Sequence, residues 1–416
     1  MRIRSIEILG YRSLREVRLE LAGVTIFVGP NGCGKSNVYQ AIQLLASAAN
    51  GQFARRIAEE GGIRSILWAG PRTQDEDERA RLGITFDELE YQIEFGRVAA
   101  NLRMMDHQDF LHPEDDDAGL NLFKDDPDIK IEKVQLLAGK KKIEMLARKG
   151  NSITAKNMEG RSVQYPGRVH ESESVLSELR EPQKFPELTT LRSLFMDWRF
   201  YHDFRTDLQS PIRDNQLATL TPILAHDGRD LAAAIATIRS IADRSLFDEH
   251  IDRAFPGSAI EIESEDGELT LTMTVPGLFR PLVARELSDG TLQYLCLLAA
   301  LLTPRPASFM VFNEPETSIH SDLYEPLAEL ILAASKHSQI LMTTHSKDLA
   351  DFIKAKGSCK IIELEKVAGA TNVRGSTVIS REIEDDDDEA AAVRAFRSGS
   401  KKTAPTDGEY EDDDAD

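Results

Sequence analysis

The stretch that most constrains this chain is Gly29-Pro30-Asn31-Gly32-Cys33-Gly34-Lys35-Ser36. It fits G-x-x-x-x-G-K-[ST], the phosphate-binding P-loop, whose backbone N–H groups converge on phosphate oxygens. Both flanks agree. Val24-Thr25-Ile26-Phe27-Val28 is a run of β-formers and reads as a buried strand. After the loop, Val38, Ile42, Leu45 and Ala49 recur at a 3.6-type spacing, which reads as a helix over 36–49. Gly32 and Gly34 allow the backbone to turn. The helix N-terminus adds positive partial charge. Lys35 is then placed for β- and γ-phosphates and Ser36 for Mg²⁺.

The chain of 416 residues is 41% hydrophobic and 29% charged, with a net charge of −20. The segment 382–416 alone holds 14 acidic and 4 basic residues. The remaining body is acidic too, which argues against a large uniform nucleic-acid surface and leaves room for a local basic groove. Cys33, Cys296 and Cys359 form no C-x-x-C pair, so a reducing compartment without a zinc site is expected. Cys33 reads either as an oxidation-sensitive thiol or as one small residue in place of another. No apolar run approaches the ~18 residues of a membrane span. Met1-Arg2-Ile3-Arg4 begins a strand pattern and not a signal peptide. The expectation is a cytoplasmic protein with no membrane partner.

Residues 1–28 read as two or three strands with a turn at Gly10-Tyr11-Arg12-Ser13. Arg12 there either lies near a bound base or is a solvated turn residue. A hairpin is expected over 82–96 around Asp87-Glu88, and a loop over 106–127. Strands at 129–137 and 143–147 follow, with a turn at Gly139. Lys140, Lys141 and Lys142 make the clearest basic cluster, either a solvated tip or a phosphate contact. Helices are expected at 172–180, capped by Ser172, and at 186–196. A buried strand at 198–201 precedes a polar loop, a helix at 231–241 and a hairpin around Asp266-Gly267. From 283 to 379, helices (291–302, 322–335, 347–354) alternate with strands (309–312, 339–343, 360–364), the pattern of a parallel sheet flanked by helices. From about 383 the acidic tail lacks an apolar period and is expected to be disordered.

Three later stretches add chemistry. Phe309-Met310-Val311-Phe312-Asn313-Glu314 ends an apolar strand in a polar pair, where an open α/β sheet places its ligand. Glu314 can polarise a water attacking a γ-phosphate. Asn313 stands where a carboxylate usually supports Mg²⁺; its amide adds no charge. Leu341-Met342-Thr343-Thr344-His345-Ser346 ends a neighbouring strand in a histidine able to contact the γ-phosphate. Leu287-Ser288-Asp289-Gly290-Thr291 opens a helix, so Ser288 is either an ordinary cap or part of a second anion site completing another subunit's ATP site.

Taken together these pieces resemble ATPases of the ABC-type superfamily, in the branch of RecF, SMC and overcoming-lysogenization-defect proteins. The strand-turn-strand before GPNGCGKSN resembles their N-termini. LSDGT resembles the signature motif, FMVFNEPE the Walker B, SIHSDL the D-loop segment and TTHS the switch-histidine loop. The likeness covers roughly the first 50 residues and those from about 283 to 365. It implies an α/β, ABC-ATPase-like P-loop fold with an N-terminal β-rich subdomain and a mixed central insert. It implies an ATP-hydrolysing enzyme using ATP and Mg²⁺. Asn31, Gly32, Cys33, Gly34, Lys35, Ser36, Asn37 and Arg12 would line the nucleotide, with Glu314 and His345 catalytic. Ser288 and Gly290 would act across an ATP-held homodimer. Ser36, Asn313 and a metal-side glutamine, for which Gln209 is the candidate, would face the metal. Expected units are 1–100 for the first part of the head, 101–280 for the insert and signature subdomain, 281–380 for the second part of the head, and 381–416 for the tail. DNA or a separate effector protein is the implied partner, in DNA repair or anti-phage defence. Asn313 keeps a second reading open, a nucleotide-binding scaffold with little or no hydrolysis. A transport ATPase is a third. No Toprim-type nuclease motif and no long heptad region is seen in the sequence.

Overall fold

The structure, a computed structural model, describes residues 1–71, 78–97, 125–164, 169–178 and 181–374. The acidic tail at 381–416 and most of the expected loop at 106–127 lie outside the described residues.

The apolar runs Val24–Val28, Phe309–Asn313 and Gln339–Thr344 are buried at every position. Runs of that kind need cover on both faces, which a parallel sheet between layers supplies. They form the middle of a six-stranded sheet in the order Arg199–Tyr201, Phe309–Asn313, Gln339–Thr344, Val24–Val28, Lys360–Val367, Ala370–Val373. All neighbours are parallel except the last pair. Alternation along these strands divides the core in two. Phe27, Val311 and Leu341 face the phosphate-loop helix Lys35–Ser47 and the N-terminal sheet. Ile26, Val28, Met310, Phe312, Ile340 and Met342 face the helices Leu231–Ile241, Asp289–Leu301, Tyr324–Ala334 and Lys347–Lys356.

An eight-stranded antiparallel sheet forms the β-rich part, running from Leu14–Glu20 and Ile3–Tyr11 out to Ser162–Gln164. Leu89–Arg97 pairs directly with Pro127–Ala138. One sheet therefore crosses the boundary expected at residue 100, because the strands on either side bury a shared apolar face. A smaller sheet holds the hairpin Ala259–Glu265 and Glu268–Thr274. Its turn residues Asp266 and Gly267 both have positive φ, as a two-residue hairpin turn with right-handed strand twist requires.

Some local expectations are corrected. The helix expected at 172–180 is described only at Val175–Glu178. Ser172 does not cap it: its hydroxyl meets His170 Nδ1 at 2.8 Å. Ser174 accepts from Leu176 N instead. The helices Phe53–Glu59 and Arg244–Ala254 and the strand Ala370–Val373 were not expected. In the lysine cluster, Lys142 pairs at 2.7 Å with Glu90, reaching across the intervening strand Pro127–Ala138.

The segment at 169–178 is tied to the β-sheet by a buried charge pair. Glu132 accepts from Tyr91 Oη, Ser174 Oγ and Val175 N. Arg148 donates to the carbonyls of Gly150, Glu173 and His170. Both side chains are fully buried, 4.0 Å apart. Removing one partner leaves the other charge uncompensated. Glu132→Ala should lower the unfolding free energy by about 3–5 kcal/mol in urea titrations, where an unchanged midpoint would contradict this account.

Candidate functional site

Parallel register sets the site. Thr344 lies opposite Val28, and Asn313 opposite Thr343. The three central strands therefore end at nearly one level, with neighbours about 4.8 Å apart. The next residues, Gly29, Glu314 and His345, leave adjacent strand tips.

The phosphate loop is held by its surroundings. Gly34 sits at φ 108°, in the left-handed region. A Cβ there would lie 2.0 Å from Thr371 Oγ1 and 3.0 Å from Ser13 Oγ. Only glycine satisfies both the angle and the contact. Asn31, Gly32 and Ser36 are exposed, while Cys33, Gly34 and Lys35 are buried. The helix Lys35–Ser47 has no side-chain cap and no acidic residue in its first turn. Its leading N–H groups and positive end are therefore available to an anion.

Lys35 Nζ donates to Gly29 O at 2.7 Å, to Pro30 O at 3.3 Å and to His345 Nδ1 at 3.1 Å. His345 Nε2 lies 2.5 Å from Glu314 Oε1. An ammonium can only donate, so Nδ1 accepts and the ring proton sits on Nε2, facing the carboxylate. Lys35, His345 and Glu314 thus lie in one line of polar contacts, a hydrogen bond at Nδ1 and a close pair at Nε2. Glu314 itself is held with φ 49°. Its N–H donates to Thr343 O at 3.0 Å and to Thr343 Oγ1 at 3.2 Å. Such a backbone is uncommon for a residue other than glycine.

Other expected residues are placed differently. Asn37 Nδ2 donates to Ser13 Oγ at 2.7 Å, and Ser13 Oγ meets Thr371 Oγ1 at 2.7 Å. Asn37 thus faces the N-terminal turn, since one helical step of about 100° separates it from Ser36. Arg12 is neither solvated nor free: it bonds Gln40 Oε1 at 2.5 Å and Glu60 Oε2 at 3.0 Å and lies over the Tyr11 ring. Asn313 is buried, and its Oδ1 accepts from Thr343 Oγ1 at 2.9 Å. Its amide oxygen is engaged inside the protein, leaving the Ser36 hydroxyl as the exposed candidate ligand for Mg²⁺. Gln209 is exposed in the loop after Arg199–Tyr201, with its N–H on Asp207 Oδ1. No hydrogen bond brings it to the site among the described residues. The residue of that loop nearer the phosphate-loop helix is His202, whose ring lies 5.3 Å from that of Tyr39.

Ser288 caps the helix Asp289–Leu301, accepting from Thr291 N at 3.1 Å. No hydrogen bond joins it or Gly290 to residues 29–36 among the described residues. Two residues that sequence reading missed organise this region. Arg213 is buried and donates to the carbonyls of Thr206, Asp207, Ala284, Arg285 and Leu287 and to Asp289 Oδ1 at 2.6 Å. Glu316 is buried beside the His345 segment. Neither has a periodic or motif signal beyond its place near a motif.

This geometry separates residues that line the phosphate loop from those that only support it. Gly34→Ala should weaken ATP binding at least about 30-fold, from backbone strain and steric conflict. Asn37→Ala removes only a supporting hydrogen bond and should change affinity by less than about fivefold. Titration calorimetry with ATP checks both, and a large loss in Asn37→Ala would return that side chain to the nucleotide.

Two family models match the chain. "AAA ATPase domain" matches residues 1–176, and "AAA domain, putative AbiEii toxin, Type IV TA system" matches residues 168–351. The chain is 32% identical over 117 residues to the chromosome partition protein Smc of Myxococcus xanthus, a match covering 26% of this chain and 9% of that protein. It is 31% identical over 93 residues to the Smc protein of Lactiplantibacillus plantarum, covering 22% and 8%. The chain therefore spans under a tenth of the length of these curated relatives. In fold it is similar to an Smc head solved bound to the C-terminal winged-helix domain of ScpA, with TM-score 0.50 and 17% identity over 90% of this chain and 97% of that one. Added to the fold and the strand-tip site, these matches support an ABC-type P-loop ATPase of the SMC/RecF-like branch.

Proposed function

We propose that the protein binds ATP with Mg²⁺ and hydrolyses it, and that the bound triphosphate holds two copies of the chain together. The observation that carries this reading is the Lys35–His345–Glu314 chain at the mouth of the phosphate loop. When triphosphate enters, Lys35 exchanges His345 and the loop carbonyls for phosphate oxygens. The imidazole turns its Nε2–H from Glu314 to the terminal phosphate, and the Glu314 carboxylate so freed orients the attacking water and accepts its proton. Mg²⁺, when bound, offsets phosphate charge, and the Ser36 hydroxyl would hold it. Ser288, exposed, and Gly290, half-buried, stand at a helix N-terminus with no hydrogen bond to their own phosphate loop among the described residues, and would close the partner copy's site.

The interior bond of Asn313 favours the second reading, a scaffold that binds nucleotide and turns it over little. The variants separate the two. Lys35→Ala should abolish ATP binding. Glu314→Gln should keep ATP binding, lower phosphate release about 100-fold or more, and accumulate an ATP-dependent dimer by mass photometry. Equal phosphate release by wild type and Glu314→Gln would leave the scaffold reading.

For a polyanionic partner such as DNA, the supporting feature is a cleft of about 630 Å³ beside the far end of the phosphate-loop helix. It carries Arg55, Arg56 and Arg199 against one acidic residue, Glu59, in an otherwise acidic protein. Arg56→Glu combined with Arg199→Glu should cut duplex DNA binding and flatten its salt dependence. Anisotropy at several salt concentrations reads this, and unchanged slopes would remove the cleft from the proposal. A defence or repair role, in the cytoplasm and with a separate effector protein, is the cellular setting this reading fits.

A further inference from the structure

The turn after Glu314 carries a second carboxylate that hydrolysis as described leaves unused. Glu316 is only 8% exposed. One of its oxygens, Oε1, accepts from Thr344 Oγ1 at 2.6 Å, His345 N at 2.7 Å and Ser346 N at 3.3 Å. All three donors belong to the three-residue segment that carries the histidine. Its other oxygen, Oε2, is buried and meets no donor among the described residues. The need for such an acceptor follows from the chain path. At residue 344 the strand Gln339–Thr344 ends, and at 347 the helix Lys347–Lys356 begins. The N–H groups between have left the sheet, and a buried N–H without a partner is costly. An ionised acceptor makes these bonds shorter and stronger than a neutral one.

The same turn reaches the signature helix. Thr317 N bonds Glu314 O, and Ile319 N bonds Glu316 O, both at 3.0 Å. Glu314 and Ser318, on either side of Glu316, both have positive φ. Gly290 approaches Ser318 so closely that a Cβ on it would lie 2.5 Å from the Ser318 carbonyl oxygen. The turn is therefore in contact with the His345 segment on one side and with the start of the signature helix on the other.

We propose that Glu316 is a positioning residue: its carboxylate fixes the His345 backbone so that the ring lies between Lys35 and Glu314, and it couples that placement to the turn abutting Gly290. The catalytic consequence rests on the hydrolysis reading; the anchoring is a property of His345 alone. A misplacement of about 1 Å near reacting groups costs on the order of 100-fold in rate. Glu316→Ala should therefore lower the rate of phosphate release about 10- to 100-fold, with ATP affinity changed by less than about threefold. Glu316→Gln keeps an acceptor oxygen at the same reach and should recover turnover to within about fivefold of wild type. Glu316→Asp, one methylene short, should not.

Nitrogen-15 NMR of histidine-labelled full-length chain tests the anchoring directly, with His345 assigned by difference against His345→Ala. Wild type and Glu316→Gln should show the Nε2–H tautomer with Nδ1 accepting, while Glu316→Asp and Glu316→Ala lose that signature. If the alanine variant fails to fold, the aspartate and glutamine variants decide. A His345 signature unchanged in Glu316→Asp, or turnover unchanged with it, would overturn the proposal. Absence of phosphate release by the wild-type chain would sink the hydrolysis reading only, and the ring signature would still decide the anchoring.

Discussion

The bond between Lys35 Nζ and His345 Nδ1 spans 310 positions of sequence and 3.1 Å of space. Neither residue could find the other by local preference. The bond exists because Val24–Val28 and Gln339–Thr344 pair in parallel with Thr344 opposite Val28. Slipping that register by one residue would turn the Phe27 face toward the helices now packed on Ile26 and Val28, and each strand would exchange its buried sets. The two cores on either side of the sheet thus enforce the register. Site geometry is in this sense a by-product of burial: the apolar faces choose the alignment, and the polar residues at the tips inherit it.

The phosphate loop depends on a second constraint, contact with the chain's far end. Thr371 N donates to Ser13 O at 2.7 Å, and the Thr371 hydroxyl stands where a Gly34 side chain would be. The turn at Arg12-Ser13 and the strand Ala370–Val373 therefore close over the loop from outside, leaving Asn31, Gly32 and Ser36 exposed. Asn37 belongs to this support through its bond to Ser13. Arg12 is similarly drawn into a cluster with Gln40, Glu60 and Tyr11, where burial and Glu60 together push the Tyr11 phenol well above its usual pKa.

Much of this architecture was legible in the sequence. The strand, loop and helix at 24–47, the alternation from 289 to 364 and the Asp266-Gly267 hairpin all carry strong local signals, apolar periodicity or turn chemistry. The strand-tip positions of Glu314 and His345 follow from the same signals, because an apolar run that stops at a polar residue marks its own end. What stayed hidden depends on distant partners. Helix Phe53–Glu59 is short and buries only Phe53 and Ile57, too few for a visible apolar stripe. The continuity of the N-terminal sheet beyond residue 100 is a matter of pairing across a long intervening stretch. Ser13, Asn37 and Thr371 join through hydroxyl and amide groups that have no periodic signature. Gln209 misled because a loop's polar residues look alike in sequence, whereas the structure buries Ser210 and Arg213 and leaves Gln209 outside.

Arg213 shows how the two halves of the site are made mechanically one. Its guanidinium takes carbonyls from the loop that follows strand Arg199–Tyr201 and from the segment leading into the signature helix, and it pairs with Asp289 at that helix's first residue. Arg199–Tyr201 is itself hydrogen-bonded to Phe309–Asn313, the strand that ends at Glu314. A planar donor fork with several fixed acceptors resists displacement more than an apolar contact does, since each carbonyl left behind in a dry site would lose its partner. The helix Asp289–Leu301 is thus joined to the Glu314 strand along two routes. One runs through Arg213 and the edge strand, and the other through Gly290, Ser318 and the turn carrying Glu316. Both converge on the tip of Phe309–Asn313. The N-terminus of the helix that Ser288 caps is thus joined by fixed contacts to the strand that ends at Glu314.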